Sequence, residues 1–323
     1  MNRPALIGDI GGTNARFALV VPGEVSPREI QTLPCADYPG VVDAARAYLE
    51  GVGASGDKAP KEACLAFACP VHGERVTMTN NHWDFTKTQA REALGLDLFK
   101  VVNDFMAQAL GVPHVGEADL MTVQHGDNIG HATRLVIGPG TGLGVAGVFP
   151  ARRAWIPLPT EGGHVSYAPT DAQELAIYER FHQRYGRVSV ERVLCGQGLL
   201  DLYRILAEIE GHPAPAASPA EVTQAANRGD PLGRDTILRF LKILGDVAGD
   251  AALTMGARGG VYLCGGIVPR LIDWLPHSGF LNAFSAKGRM RPYNEAIAIH
   301  VVTAPWTGLL GAAEALHNEE VEP

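Results

Sequence analysis

Paired cysteines, long apolar runs and an excess of basic charge are all missing from these 323 residues, and each absence removes a class of protein. The five cysteines (Cys35, Cys64, Cys69, Cys195 and Cys264) are odd in number and contain no C-x-x-C pair. That excludes a disulfide framework and a zinc ribbon and predicts a reducing, cytoplasmic compartment. No stretch nears the ~18 apolar residues of a membrane helix, so no membrane partner is expected. Gly8-Asp9 breaks the first apolar run too early for a signal peptide. With 27 Lys+Arg against 35 Asp+Glu the net charge is -8, which argues against a nucleic-acid partner. No Gly-Lys dipeptide occurs, so there is no Walker loop.

What the chain has in excess is glycine: 38 residues, about 12% against roughly 7% in average proteins. These glycines cluster rather than repeat, which predicts tight backbone turns around a ligand. The length predicts two domains, and 46% apolar residues give each a core. Ala5 to Ile10 and Ala15 to Val21 read as strands joined by a Gly11-Gly12-Thr13-Asn14 turn. Val41, Val42, Ala45, Tyr48 and Leu49 recur at helical spacing. Cys64 to Cys69, Arg75 to Thr79 (Val76 and Met78 inward) and Phe99 to Val102 are further strands. A helix runs from Asn103-Asp104 to about Leu110. Strands interleaved with helices predict an α/β domain.

A second strand-turn-strand unit spans Arg134 to Phe149. Shifted by 128 residues, Gly12-Thr13 falls on Gly140-Thr141, Ile7 on Leu135 and Val20 on Val148, which predicts two related half-domains. The remainder is more helical, with an apolar stripe from Ile237 to Met255. His212 to Pro219, with three prolines, reads as a surface loop. A strand over Val261 to Cys264, another over Ala296 to Val302 and a helix over Thr307 to Leu316 complete the chain.

Phosphate oxygens need converging amide N–H groups, and only residues without side chains let the backbone approach so closely. Gly8, Asp9, Ile10, Gly11, Gly12, Thr13 and Asn14 offer such a turn with one carboxylate. Phosphate would repel Asp9 unless a cation lay between them, so the segment points to a Mg²⁺-nucleotide with Asp9 holding Mg²⁺ through water. Gly138, Gly140, Thr141 and Gly142 repeat the chemistry without a carboxylate. Two G-x-G-x-x-G matches, at Gly51/Gly53/Gly56 and Gly142/Gly144/Gly147, do not open a helix after a strand and are set aside.

These turns, together with Met78-Thr79-Asn80, Asn103-Asp104-Phe105, Glu161-Gly162-Gly163-His164, Glu191-Arg192-Val193 and Cys264-Gly265-Gly266-Ile267, resemble the bacterial glucokinase family of the actin-like ATPase superfamily. The resemblance runs over nearly the whole chain. It implies two actin-like (ribonuclease H-like) α/β domains around a central cleft: a small one over 1–110 plus about 305–323, and a large one over 111–304. It also implies a cytoplasmic homodimer that uses ATP and Mg²⁺ to phosphorylate glucose at its 6-hydroxyl.

By that resemblance Asp104 is the base that orients the hydroxyl and takes its proton late. The alternative, on its residues alone, is that Asp104 only caps the helix beside it. Asn80, Asn103, Glu161, His164 and Glu191 are implied to bond sugar hydroxyls, partners suited to groups that both donate and accept. Gly265 and Gly266 resemble the turn on which adenosine rests, though the same residues serve a plain strand-ending loop. The Cys-rich zinc run of the repressor/ORF/kinase branch is absent, so no zinc is expected. Another hexose (mannose, fructose or an N-acetylated amino sugar) and a non-catalytic sugar sensor of the same fold are the rival readings.

Overall fold

In the computed structural model, which describes residues 3–127 and 129–323, the first two apolar runs pair as the sequence predicts. β1 (Ala5–Ile10) and β2 (Asn14–Val20) are antiparallel, with Asp9 opposite Arg16 and Ile10 opposite Ala15. β3 (Arg28–Pro34) extends the sheet at its edge. The sequence reading passes it over because no residue of β3 is buried and apolar alternation is therefore missing. β4 (Glu62–Phe67) lies parallel to β1, β5 (Arg75–Thr77) and β6 (Asp84–Thr86) form a separate ribbon, and β7 (Leu98–Asn103) lies parallel to β4. The five-stranded order is β3-β2-β1-β4-β7.

Parallel strands in the middle of a sheet are covered on both faces, and β1 and β4 are accordingly almost wholly buried. The Val41–Gly51 helix contributes Val41, Ala44, Ala45 and Tyr48 to a cluster with Leu6, Phe17 and Leu65. Two other helices, Asp104–Gly111 and Thr307–His317, pack on each other at glycines. A Cβ on Gly311 would lie 1.7 Å from the Ala107 carbonyl oxygen, and one on Gly111 would lie 2.1 Å from that of Thr307. Backbones this close leave no room for any side chain. Buried Lys100 on β7 donates from Nζ to the carbonyls of Ala315 (3.0 Å) and Asn318 (2.8 Å), satisfying the end of the C-terminal helix. Burial, countered in part by the Cys64 thiol, depresses the pKa of that ammonium.

The chain divides into two units, Met1–Asp119 with Val148–Pro159 and Ala304–Pro323, and Leu120–Gly147 with Thr160–Thr303. In the second, β8 (Leu120–Gln124) and β9 (Arg134–Pro139) are followed by β10 (Leu143–Pro150), which carries the chain out of the unit after Gly147; β11 (Trp155–Pro159) belongs to the first unit. β12 (Val261–Leu263) and β13 (Ile299–Val302) complete the sheet of the second unit, in the order β10-β9-β12-β13-β8. Three residues join β9 to β10, so the two neighbours form a hairpin. β9 then pairs parallel with β12, β12 parallel with β13, and β13 antiparallel with β8. β9 thus holds the place in this unit that β1 holds in the first, as the 128-residue repeat predicts.

The apolar stripe at 237–255 lies in a 25-residue helix, Pro231–Met255, which Asp230 caps and which buries Ile237, Phe240, Leu241 and Leu244. The expected loop at 212–219 ends one residue early. Pro219 opens the Pro219–Asn227 helix, where its missing N–H costs nothing, and Ser218 caps it by accepting from the Glu221 N–H. Nor is that loop wholly at the surface, since Ala216 is buried in the core of the unit. Among the described residues no helix is long and apolar enough to cross a membrane.

Candidate active site

In a sheet of parallel strands, register decides which residues share an end. Ile10, Phe67 and Asn103 are aligned across β1, β4 and β7, and Asp9, Ala66 and Val102 form the row before them. The first glycine turn and Asn103-Asp104 therefore emerge at one end of one sheet, two strand spacings or about 10 Å apart. Asn80 joins them: a Cβ on Gly12 would come within 2.8 Å of the Asn80 Cβ. Asn81, which the sequence reading leaves without a role, ties its loop to the turn. Its Nδ2 donates to the Gly11 carbonyl at 3.4 Å, while its Oδ1 accepts from the Trp83 N–H at 2.8 Å.

The turn itself is arranged to offer amides. The Gly11 N–H closes it on the Asn14 carbonyl at 2.9 Å, and the Thr13 carbonyl accepts from Cys35 at 2.8 Å. Among the described residues no protein acceptor takes the N–H of Gly12 or Thr13. Asp9 is held by Arg16 Nη1 at 3.3 Å. Burial raises the Asp9 pKa, and the Arg16 charge works against that rise.

Asp104 begins its helix but does not cap it. The cap is Asn103, whose Oδ1 accepts from Phe105 N–H (2.9 Å) and Met106 N–H (3.3 Å) and whose Nδ2 donates to the Cys69 carbonyl at 3.3 Å. One amide N–H of Asn103 is left for a ligand. Asp104 Oδ1 accepts from the Phe105 N–H at 2.9 Å, and no hydrogen bond to Oδ2 occurs among the described residues. Burial, reinforced by the nearby Asp9 charge, pushes the Asp104 carboxyl up to about 6. A carboxyl with one oxygen anchored, the other open and a pKa close to neutrality has the chemistry of a general base.

The second unit brings Glu161, His164 and Glu191 together. The imidazole lies between the carboxylates, Nε2 at 4.0 Å from Glu161 and Nδ1 at 3.8 Å from Glu191. Glu191 also accepts from the Leu143 N–H at 2.9 Å, which anchors it beneath the second glycine turn. Glycine is required at 163, where a Cβ would meet the Leu143 backbone carbonyl at 2.1 Å, and a Cβ on Gly142 would displace the Glu191 carboxylate, which it would meet at 2.5 Å. Thr160 donates to the Val145 carbonyl at 2.7 Å and accepts from the Gly162 N–H at 3.1 Å, fixing the entry to the Glu161–His164 turn. Among the described residues no group of three or more His, Cys, Asp or Glu is placed to hold a metal ion.

The second glycine turn repeats the first. The Gly140 N–H closes on the Gly142 carbonyl at 2.8 Å, and the N–H groups of Thr141 and Gly142 have no protein acceptor among the described residues. Gly138 and Gly265 touch backbone to backbone, since a Cβ on either would meet the other strand end at 2.6 Å. Gly265 adopts φ +80, which disfavours any other residue. Gly140, Thr141 and Gly266 line one cavity of about 500 Å³. Its remaining wall is Leu199, Pro219, Thr223, Ile267, Arg270 and Leu271 with their neighbours. Apart from Ile267, which ends the Cys264-Gly265-Gly266-Ile267 motif, the sequence gives no sign of these residues, because side chains on separate segments carry no shared motif; only folding assembles them.

The residues fit a Mg²⁺-nucleotide. In the first unit Asp9 supplies a hard oxygen donor beside the unclaimed amides of Gly12 and Thr13; in the second, taken by itself, the amides of Thr141 and Gly142 are unclaimed and space stands open over Gly140 and Gly266, where a Cβ would meet nothing within 4 Å. A cavity of that size with mostly apolar walls suits a nucleoside.

The family model described as Glucokinase matches residues 6–319. A glucokinase of Chromohalobacter salexigens is 64% identical over 321 residues, covering 99% of this chain and all of that protein. The crystal structure of a glucokinase from an Antarctic psychrotroph superposes with a TM-score of 0.89 at 34% identity, covering 98% of this chain and 99% of that one. A ROK family glucokinase from Streptomyces griseus, solved in complex with glucose and AMPPNP, shares the fold with a TM-score of 0.62 at 19% identity, covering 97% and 99% of the two chains.

Proposed function

The chain belongs to the glucokinase family, an α/β kinase family of the actin-like ATPase fold, and from that premise we propose that it transfers the terminal phosphoryl group of ATP to the 6-hydroxyl of glucose. The observation that carries the assignment of the base is the Asp104 carboxyl, with its open Oδ2, at the sheet end that also presents Asp9 and the unclaimed amides.

In this reading Asp104 Oδ2 accepts the hydrogen bond of the 6-hydroxyl, aims its oxygen and takes the proton as the new bond to phosphorus forms. Asn80 and the remaining N–H of Asn103 bond the sugar beside it. Glu161, His164 and Glu191 bond ring hydroxyls, the imidazole serving as donor or acceptor according to its tautomer. Gly12 and Thr13 donate N–H groups to phosphate oxygens, and Thr141 and Gly142 offer the same donors. The cavity beside Gly140 and Gly266 takes the nucleoside. Asp9 holds Mg²⁺ through water, and when bound the ion neutralises charge on the phosphates. The five free, buried thiols accord with a cytoplasmic enzyme, and the family reading makes it a homodimer.

The test is a product assay with ATP and Mg²⁺ across a panel of hexoses, identifying the phosphorylated oxygen. Glucose 6-phosphate as the favoured product is expected. A clear preference for mannose, fructose or an N-acetylated amino sugar would reassign the substrate, and sugar binding without ATP consumption would make the chain a sensor.

A further inference from the structure

The Thr307–His317 helix begins without a side-chain cap: Trp306 occupies the cap position and offers no acceptor. Among the described residues the N–H groups of Thr307, Gly308 and Leu309 have no protein acceptor, so this end carries unpaired donors and the positive end of the helix dipole. Asp9 lies beside it. A Cβ built on Gly308 finds as its three nearest atoms the Cγ, Oδ2 and Oδ1 of Asp9, at 3.0, 3.1 and 3.3 Å. Gly308 is buried, and its φ lies outside the left-handed region, so the backbone does not demand glycine there. In a helix glycine costs about 1 kcal/mol relative to alanine. A helical glycine that serves neither conformation nor stability, and whose missing Cβ leaves space filled by a carboxylate, has its explanation in that carboxylate.

We propose that Gly308 is a positioning residue for the reaction: its missing side chain lets the uncapped amino end of the C-terminal helix close onto Asp9 and, with Arg16, fix the direction in which that carboxylate meets Mg²⁺. The inference rests on the reading of Asp9 as the metal-facing carboxylate. Arg16 Nη1 approaches Oδ2 from the neighbouring strand at 3.3 Å, and the helix end approaches both oxygens from another side. Asp9 has only two side-chain torsions, so a Cβ at 3.0 Å forces the carboxylate to turn or the helix to back away. Gly311 and Gly111 lock the helix against its neighbour, so the carboxylate is the part that turns, which changes the distance to a water-mediated ion while leaving the sugar partners untouched.

The experiment measures binding of ADP by calorimetry with and without Mg²⁺, together with the melting temperature of the free protein, for Gly308→Ala, Asp9→Ala and the double variant. Gly308→Ala is expected to weaken Mg²⁺·ADP on the order of five- to tenfold. Metal-free ADP and glucose should stay within about twofold of wild type. In the Asp9→Ala background, where the clash is gone, Gly308→Ala should have no further effect on Mg²⁺·ADP and should raise the melting temperature, as a helix-favouring exchange does. Unchanged Mg²⁺·ADP binding, or equal loss with and without the metal, overturns the proposal, as does a melting temperature that the second substitution lowers in the Asp9→Ala background. If Asp9→Ala itself keeps the full magnesium dependence, the assignment of Asp9 fails and takes this inference with it. Loss in Asp9→Ala beside a magnesium-insensitive Gly308→Ala removes the role of Gly308 alone.

Discussion

Replacing Asp104 by Asn should damage catalysis and stabilise the fold, and the second effect has a pH signature. The asparagine keeps the shape, and its Oδ1 can still accept from the Phe105 N–H. What disappears is a charge that burial and Asp9 both oppose, lifting the carboxyl from 3.8 to about 6. Ionising such a group costs the folded state about 3 kcal/mol at the limit. Asp104 is partly exposed, and solvent screening brings the expectation down to about 1–2 kcal/mol. For a unit of about 150 residues, that is a rise of roughly 2–8 °C in melting temperature.

The sign follows from the direction of the shift. A carboxyl whose pKa is raised by folding favours the native state while protonated, below its ordinary 3.8, and that contribution is lost as the pH climbs through 6. The substituted amide cannot ionise, so the Asp104→Asn variant should melt higher than wild type at pH 8, and the gap should close toward pH 4.5. Turnover should fall by roughly 10²–10⁴ with glucose affinity largely kept. In the wild type, kcat/KM should decline on the acid side of about pH 6. Calorimetric melting over a pH series and steady-state kinetics check both halves. A variant that melts no higher at pH 8, or whose difference does not depend on pH, refutes the electrostatic argument; full activity removes Asp104 from its role.

Asn103→Ala should cost about 0.5–2 kcal/mol of stability through the lost cap, whereas Asn103→Asp should retain most of it; denaturant titration separates the two. Glu191→Gln keeps an oxygen for the Leu143 N–H but removes the charge facing His164, so glucose KM should rise while the melting temperature stays near wild type; Glu191→Ala should lower both affinity and stability. Gly311→Ala puts a Cβ into the Ala107 carbonyl, and the overpacked helix pair should lose about 1–3 kcal/mol or more, visible as a lower melting temperature together with reduced turnover because the Asp104 helix must move.

Much of the chemistry was legible in the residues themselves. Glycine turns between apolar strands announce where backbone amides can meet phosphate, because that need is local: a few consecutive residues satisfy it. β1, β2 and the Asp104–Gly111 helix follow from the same short-range logic of alternation and helical spacing. Long-range register was beyond it. Whether Asn103 or Asp104 caps the helix turns on where one amide points after β7 pairs with β4. The ionic partner of Asp9, the helix end packed on it through Gly308, and the wall that Pro219, Thr223 and Leu271 give the nucleoside cavity all come from segments far apart in the chain. Sequence alone determined which groups were available to bind phosphate and hydroxyls. Tertiary structure decided which of them are desolvated, charged or already engaged, because burial and neighbouring charge set the pKa of a carboxyl and neither is a property of its position in the chain.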